Sequence, residues 1–342
     1  MISSITPNPN IPVKDGLPTP IERAMMEPPL PDPLTLTLQM NERIQLTAQK
    51  FDLRLDFLYH SGQIQTEYGN HRAALVRQFI QSSTSAKRVT VVRGDCSKYV
   101  FSIVTSGAYV ARTAGILTTL QFASGKFTEF YNDGHQLTYE AQNGTGNPVT
   151  HQLMTNVEPA GTRQSYVYST GAEAGLLKTI QVHDGSKVSF IYQQGVTTSL
   201  LNVVQDWGGR RWTYQYDAGE NCTTLTMPSG CIIKYGIDNW DRVKTRENPQ
   251  GFVSTYGYFA FNNPTLLKAV VADGTWLYNY DADGNGWTTE QVPSGALTTY
   301  NGTGLPGWIE KPGGRVTTLT YNSNTLETSE INPTGSKCTT VY

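Results

Sequence analysis

The chain has 342 residues, only 16% of them charged, and 26 basic against 28 acidic side chains leave a formal net charge of −2. No Lys/Arg cluster stands ready to meet a phosphate backbone, which excludes nucleic acid as an expected partner, and no window approaches the ~18 apolar residues of a membrane-spanning helix. Thirty-two glycines and 19 tyrosines favour strands and tight turns over helices, in a chain long enough for one large domain or two smaller ones.

Nine of the 18 prolines fall within residues 1–33. That density fixes φ and removes backbone donors, so a leader that is extended or disordered is expected there. Its first residues, MISSITPNPN, lack both the basic and the apolar stretches of an ordinary secretory signal. Residues 34–104 read as a β-rich lead-in: Leu34, Leu36, Leu38 and Met40 alternate with polar residues, as do Phe51, Leu53, Leu55 and Phe57. HRAALVRQFIQ, 71–81, fits a short helix or a strand.

From residue 105 to 342 the sequence repeats. Gly209, Gly230, Gly251, Gly274, Gly295, Gly314 and Gly335 follow one another at steps of 21, 21, 23, 21, 19 and 21. Each is followed five to seven residues later by a tyrosine: Tyr214, Tyr235, Tyr256, Tyr280, Tyr300, Tyr321 and Tyr342. Weaker copies lie upstream at Gly125 with Tyr131, Gly161 with Tyr166 and Tyr168, and Gly185 with Tyr192. About 21 residues suit one β-hairpin and are too few for a βαβ unit. Tyr214 and Tyr216, like Tyr278 and Tyr280, are two apart and therefore share a face. The aspartate that follows each pair, Asp217 or Asp281, can accept a backbone amide two residues on, leaving the later glycine the positive-φ position. A lone hairpin is marginal, so successive units must pair side by side. The expected fold is all-β: consecutive antiparallel hairpins forming a curved, spiralling sheet or partial hollow shell.

GRRWTYQYDAGENCTTLTMPSG (209–230) and GTWLYNYDADGNGWTTEQVPSG (274–295) resemble the unit of the Rhs/YD-repeat family, and the stretch beginning VVRGDCSKYVF at 91 looks like the start of such an array, with Cys96 where that family more often has glycine. The resemblance covers about residues 90–342. It implies a β-shell that encloses a cargo or presents a surface at cell contact, as in polymorphic toxins and teneurins, and hence a secreted or cell-surface setting. The toxins' C-terminal effector and self-cleavage motif are not visible, so the array reads as truncated, with an open edge to be covered by the leader, another chain or further repeats.

The sequence carries no hydrolase, metalloprotease or nucleotide signature, and no cofactor is expected. Of the five histidines, His135 and His183 fall beside turn glycines and read as solvated turn residues. The four cysteines, Cys96, Cys222, Cys231 and Cys338, read as buried free thiols, Cys222 and Cys231 flanking one loop. Asp281, Asp283 and Asn285 match the first half of a calcium loop, but Val292 occupies the place of its bidentate glutamate, which makes the stretch a weak metal candidate. Trp212, Trp276, Trp287 and Trp308 are candidates for stacking on sugar rings near strand ends. Two functions follow as expectations: a non-enzymatic scaffold segment of a contact-dependent toxin or surface protein that lacks its C-terminal cargo, and an adhesin module that binds surface carbohydrate through tryptophans at turns.

Overall fold

The computed structural model describes residues 37–47, 52–62, 65–82, 87–112, 116–141, 148–170, 174–259, 265–271, 274–280, 287–292, 294–301, 306–322 and 327–339. All regular structure in them is β-strand. The chain forms two compact units, one built from Asn41–Tyr59 with Gln63–Ile233, the other from the described residues among 37–40, His60–Gly62 and 234–339.

The first unit opens with β1 (Gln39–Thr47), β2 (Asp52–His60), β3 (Gln65–Thr66), β4 (Gly69–Asn70) and β5 (Arg72–Ala74). The sheet order is β1-β2-β5, and β3 and β4 form a separate short ladder. The alternation read from Leu53 to Phe57 places Leu53, Leu55 and Phe57 in the core. Next come β6 (Phe79–Ser82), β7 (Arg88–Val92), β8 (Lys98–Thr105), β9 (Ala108–Ala111), β10 (Thr119–Ala123), β11 (Lys126–Phe130), β12 (Gln136–Ala141) and β13 (Val149–Val157). Each pairs antiparallel with the next, and Val149–Gln152 of β13 return to pair with Phe79–Ser82 of β6, closing an eight-stranded barrel. Eight strands leave an interior that side chains can fill, and Ile80, Val91, Phe101, Tyr109, Phe127 and Tyr139 fill it.

This closure decides the region read as helix or strand: 71–81 yields β5 and part of β6, because both edges of β6 are taken, by β7 on one side and β13 on the other. The same edge of β13 then divides. Its first half pairs with β6, while Thr155–Val157 pair with β14 (Arg163–Tyr168), so the sheet leaves the barrel as a ribbon. The ribbon continues as β15 (Leu177–Gln181), β16 (Lys187–Gln194), β17 (Ser199–Gln205), β18 (Arg211–Tyr216) and β19 (Cys222–Thr226).

In the second unit antiparallel strands follow in sequence order to Lys337–Thr339. Thr37 forms an isolated bridge with Thr265, and the Leu38 amide donates to Ser61 Oγ at 2.9 Å.

The turns of both units share one construction. The fourth turn residue has positive φ and donates its amide to the first: Gly209 to Asp206 at 3.1 Å, Gly230 to Met227 at 2.9 Å, Gly251 to Asn248 at 2.9 Å. A side-chain oxygen on the first residue holds the amides two and four residues on. Asp217 Oδ1 accepts from Gly219 and Asn221, each at 2.9 Å, and Asp206, Asp238, Asn248 and Asn332 do the same in their own turns.

Three expectations change. In the Asp217 turn the positive φ belongs to Glu220 (63°), not to the glycine before it, because the fourth place of the turn falls one residue later. Cys96 likewise has φ 66° in a turn whose amide reaches Arg93 O at 2.9 Å, the conformation glycine adopts most readily. All four cysteines are free, but only Cys222 is buried; Cys96 and Cys231 are half-buried and Cys338 is exposed on the Lys337–Thr339 strand. Cys222 begins β19, whereas Cys231 closes the turn after it, so only Cys231 flanks that loop.

Candidate functional site

The most regular feature of the repeats is a tyrosine latch. The strand register shifts at a repeat tyrosine at Tyr139, Tyr168, Tyr192, Tyr216 and Tyr258, and at Ile237 in the hairpin between the last two. At Tyr216 the extra residue lies on the partner strand, which leaves Tyr214 and Tyr216 on one face. Tyr214 is fully buried; Tyr216, at the strand end, is half-buried and extends its ring across the neighbouring hairpin. Its hydroxyl donates to Leu201 O at 2.8 Å. Tyr168 donates to Leu153 O at 2.9 Å, Tyr192 to Leu177 O at 2.9 Å and Tyr258 to Val243 O at 2.7 Å, always 15 residues upstream. Each acceptor is the cross-strand partner of the preceding repeat position: Leu153 faces Tyr139, Leu177 faces Tyr168, Leu201 faces Tyr192 and Val243 faces Ile237. Every latch therefore ties one hairpin to the register shift of the one before it. Burial raises the hydroxyl pKa of Tyr168 and Tyr216, which keeps both protonated as donors.

In the first unit this face is covered by the chain's own N-terminal sheet. The Phe57 ring lies 5.7 Å from Tyr68 and 5.6 Å from Tyr214. Arg72, its guanidinium 5.8 Å over the Tyr214 ring, is held by both carboxylate oxygens of Glu42, with Nη1 3.0 Å from Oε1. Both side chains of this ion pair are within 5% of full burial. The β3–β4 hairpin clips onto strand β17 and onto the turn after β18: Leu201 N donates to Glu67 O at 2.8 Å and Asn70 N to Glu220 O at 3.0 Å. A Cβ at Gly69 (φ 102°) would lie 2.8 Å from the Tyr216 ring, so this contact requires glycine.

The Glu220 carboxylate secures the clip, taking the Thr197 amide at 2.6 Å, Gln65 Nε2 at 2.8 Å and the Thr197 hydroxyl. Burial alone would raise its pKa, but the bonds from Thr197, Thr198 and Gln65 outweigh it and hold the group ionised. Sequence reading passed over Glu220. The available signal was a glutamate where most of these turns have glycine.

A second polar centre sits at one end of the barrel. Glu129 is fully buried and takes Arg93 in a two-pronged ion pair, Nη1 to Oε2 at 2.8 Å and Nη2 to Oε1 at 2.5 Å. Thr118 Oγ1 adds a bond at 2.7 Å and the Tyr139 hydroxyl one at 3.2 Å. The guanidinium also lies 5.9 Å from the Tyr99 ring and 5.8 Å from that of Tyr131. Burial opposes the charge of Arg93, yet Glu129 outweighs it and raises its pKa; burial, then Glu129, pushes Tyr131 up to about 12. Above this pair opens a cleft of about 500 Å³, lined by Arg93, Tyr99, Thr118, Tyr131 and the turn aspartates Asp95 and Asp133. It is of a size to admit a small molecule, although Arg93 is already neutralised and Ser97 Oγ is committed to Asp95 at 2.6 Å.

The repeat glycines Gly209, Gly230, Gly251, Gly274, Gly295, Gly314 and Gly335 all have positive φ. Tyr214, Tyr235, Tyr256 and Tyr278 are buried, whereas Tyr300 and Tyr321 are half-buried. Tyr342 and the metal candidates Asp281, Asp283 and Asn285 lie outside the described residues, among which no three His, Cys, Asp or Glu side chains are placed to hold a metal ion. Trp212, Trp276, Trp287 and Trp308 stand within strands; Trp212, Trp276 and Trp308 are half-buried, and Trp276 Nε1 is enclosed without a partner. The turn places belong to Trp207 and to Trp240, which is 44% exposed. His183 is exposed, whereas His135 bonds Asn156 Oδ1 and lies 4.9 Å from the Tyr131 ring. No described helix is long and apolar enough to cross a membrane.

No family model matches the chain, nor does any curated protein sequence. Among solved structures it is similar to TcdB2-TccC3 without its hypervariable C-terminal region, at 10% identity and a TM-score of 0.43, over 89% of this chain and 21% of that one. It is also similar to the Photorhabdus luminescens Tc holotoxin pore carrying the TccC3 mutation D651A, at 12% identity and a TM-score of 0.33, over 87% and 18%. A third is the N-terminal domain of effector protein SpvB from Salmonella typhimurium strain LT2, at 13% identity and a TM-score of 0.31, over 70% and 92%. This chain thus spans about a fifth of the length of the first two.

Proposed function

We propose that the chain is a non-enzymatic scaffold, a shell segment of Rhs/YD-repeat type from a toxin-delivery or cell-surface protein. The observation that supports this reading most directly is the latch series. At Tyr168, Tyr192, Tyr216 and Tyr258 a hairpin bonds to the register shift of its predecessor, so the sheet extends there by one standard unit at a time, and these tyrosines serve that extension. A wall built in this way encloses a volume without chemistry of its own, and its partner on this reading is a toxin cargo or further repeats not in this chain.

Protease protection of the natural gene product tests it. A cargo polypeptide produced together with the repeats should resist digestion while they are folded and become cleavable when Tyr192→Ala and Tyr216→Ala loosen them. Equally rapid digestion in both states overturns the enclosure.

A further inference from the structure

We propose that the barrel end opposite the Arg93 cleft is a docking surface for an anionic lipid bilayer. Two hairpin tips lie side by side there, β8 to β9 and β10 to β11. Phe122 N donates to Gly107 O at 2.6 Å, and a Cβ at Gly107 (φ 78°) would lie 2.6 Å from Phe122 O, so only glycine lets the tips approach this closely. The second tip turns in two residues, Ser124 (φ 51°) and Gly125 (φ 80°). The tips are thus firmly shaped, and the Phe122 ring is held 4.6 Å from the buried Phe127.

These tips present apolar side chains outward. Ile103 is 40% exposed, Val104 57% and Phe122 39%. Single exposed apolar residues are ordinary on a protein surface, but three gathered on adjoining tips form a patch.

Its rim is basic. Lys87 O accepts Ile103 N at 3.0 Å, Arg88 stands opposite Ser102, and Lys126 stands opposite Ala123; all three side chains are exposed. Among the described residues here one acidic side chain answers them, Glu140, 2.7 Å from Lys126. Apolar tips inside a rim of three bases and one acid match an anionic leaflet, whose headgroups attract Lys and Arg while the acyl boundary takes up the apolar tips. A protein partner would require more complementary polar detail than these short tips carry.

Co-sedimentation of the full chain with vesicles of phosphatidylcholine, with and without phosphatidylserine, is the test. Binding to the serine-containing vesicles is expected, weakening with salt. The double variant Lys87→Glu/Arg88→Glu should lower partitioning at least ~10-fold, and Val104→Asp, on an exposed strand end where it leaves the fold intact, should lower it by a comparable factor. No binding to either vesicle, equal binding to both, or undiminished binding by both variants overturns the proposal; so does self-association through this patch without vesicle binding.

Discussion

The tyrosine face of the first unit and that of the last hairpins in the second carry the same repeat and differ in how deeply it is buried. Tyr139 and Tyr214 are at most 1% exposed, with Phe57 of the N-terminal sheet packed on Tyr214. Every residue of the Leu297–Tyr300 strand is half-buried, and all three of Lys337–Thr339 are exposed. The repeat motif is therefore sufficient to pair strands but does not by itself make a dry interior. A sheet has two faces, and the aromatic one becomes core only where something lies against it.

The largest effect should come from unbalancing the ion pair under the covered face. Glu42→Gln leaves Arg72 buried without its counter-charge and should cost about 4 kcal/mol by urea denaturation, most of it recovered in Glu42→Leu/Arg72→Met. Glu247→Gln in the second unit removes a partner from Lys234, a pair at least 38% exposed, and should cost under ~1 kcal/mol. Equal losses would break the contrast.

Next in size, Tyr214→Ala should cost about 3 kcal/mol through cavity formation, and Tyr321→Ala about 1 kcal/mol, since little is removed from a half-buried site. Hydrogen exchange should follow the same order, with amides of β16–β18 protected longer than those of Arg315–Tyr321. The latch itself is smaller: Tyr192→Phe keeps the ring and deletes the bond to Leu177 O, for a loss of about 1 kcal/mol. No loss would show that the ring alone holds the hairpins together.

The smallest effect is one of acidity. His151, at the seam where β13 meets β6, bonds Ser82 through Nε2 at 3.0 Å and packs edge-on against Phe127 at 4.9 Å, with Nδ1 buried and unpartnered. Burial lowers its pKa below the ordinary value of 6.5. The unfolded chain then binds the proton more readily, so the stability this group contributes is present above pH 6.5 and lost as pH falls from there through the lower folded value. His151→Phe should flatten this part of the stability curve, while the second unit, which contains no such buried histidine among its described residues, should keep its own. An unchanged slope in the variant would assign the acid sensitivity elsewhere.

Much of the fold was legible because its signals are local. Glycine spacing, paired tyrosines and turn aspartates all act within about 21 residues, and they specify hairpins whichever neighbour those hairpins meet. Cys96 stood out in the sequence only as a residue in a glycine's place, and Glu220 passed unremarked, because a side chain at a positive-φ position has its conformation imposed by the turn around it. The Arg93–Glu129 pair was equally hidden, since the two residues are 36 apart in sequence and meet only inside a closed barrel. Tryptophans read as lying near strand ends proved to occupy strand interiors at Trp276 and Trp308, where alternation and strand offset, not nearness to a turn, set exposure.

By itself, then, the sequence determined the hairpin period, the aromatic face and the chemistry of the turns, because each arises from backbone sterics and side chains a few residues apart. The tertiary structure alone decided that β13 divides its edge between β6 and β14, and that Phe57 and Arg72 close over Tyr214. Those outcomes depend on which of many similar edges and faces meet across long loops, and strands with the same alternation look alike until they are packed.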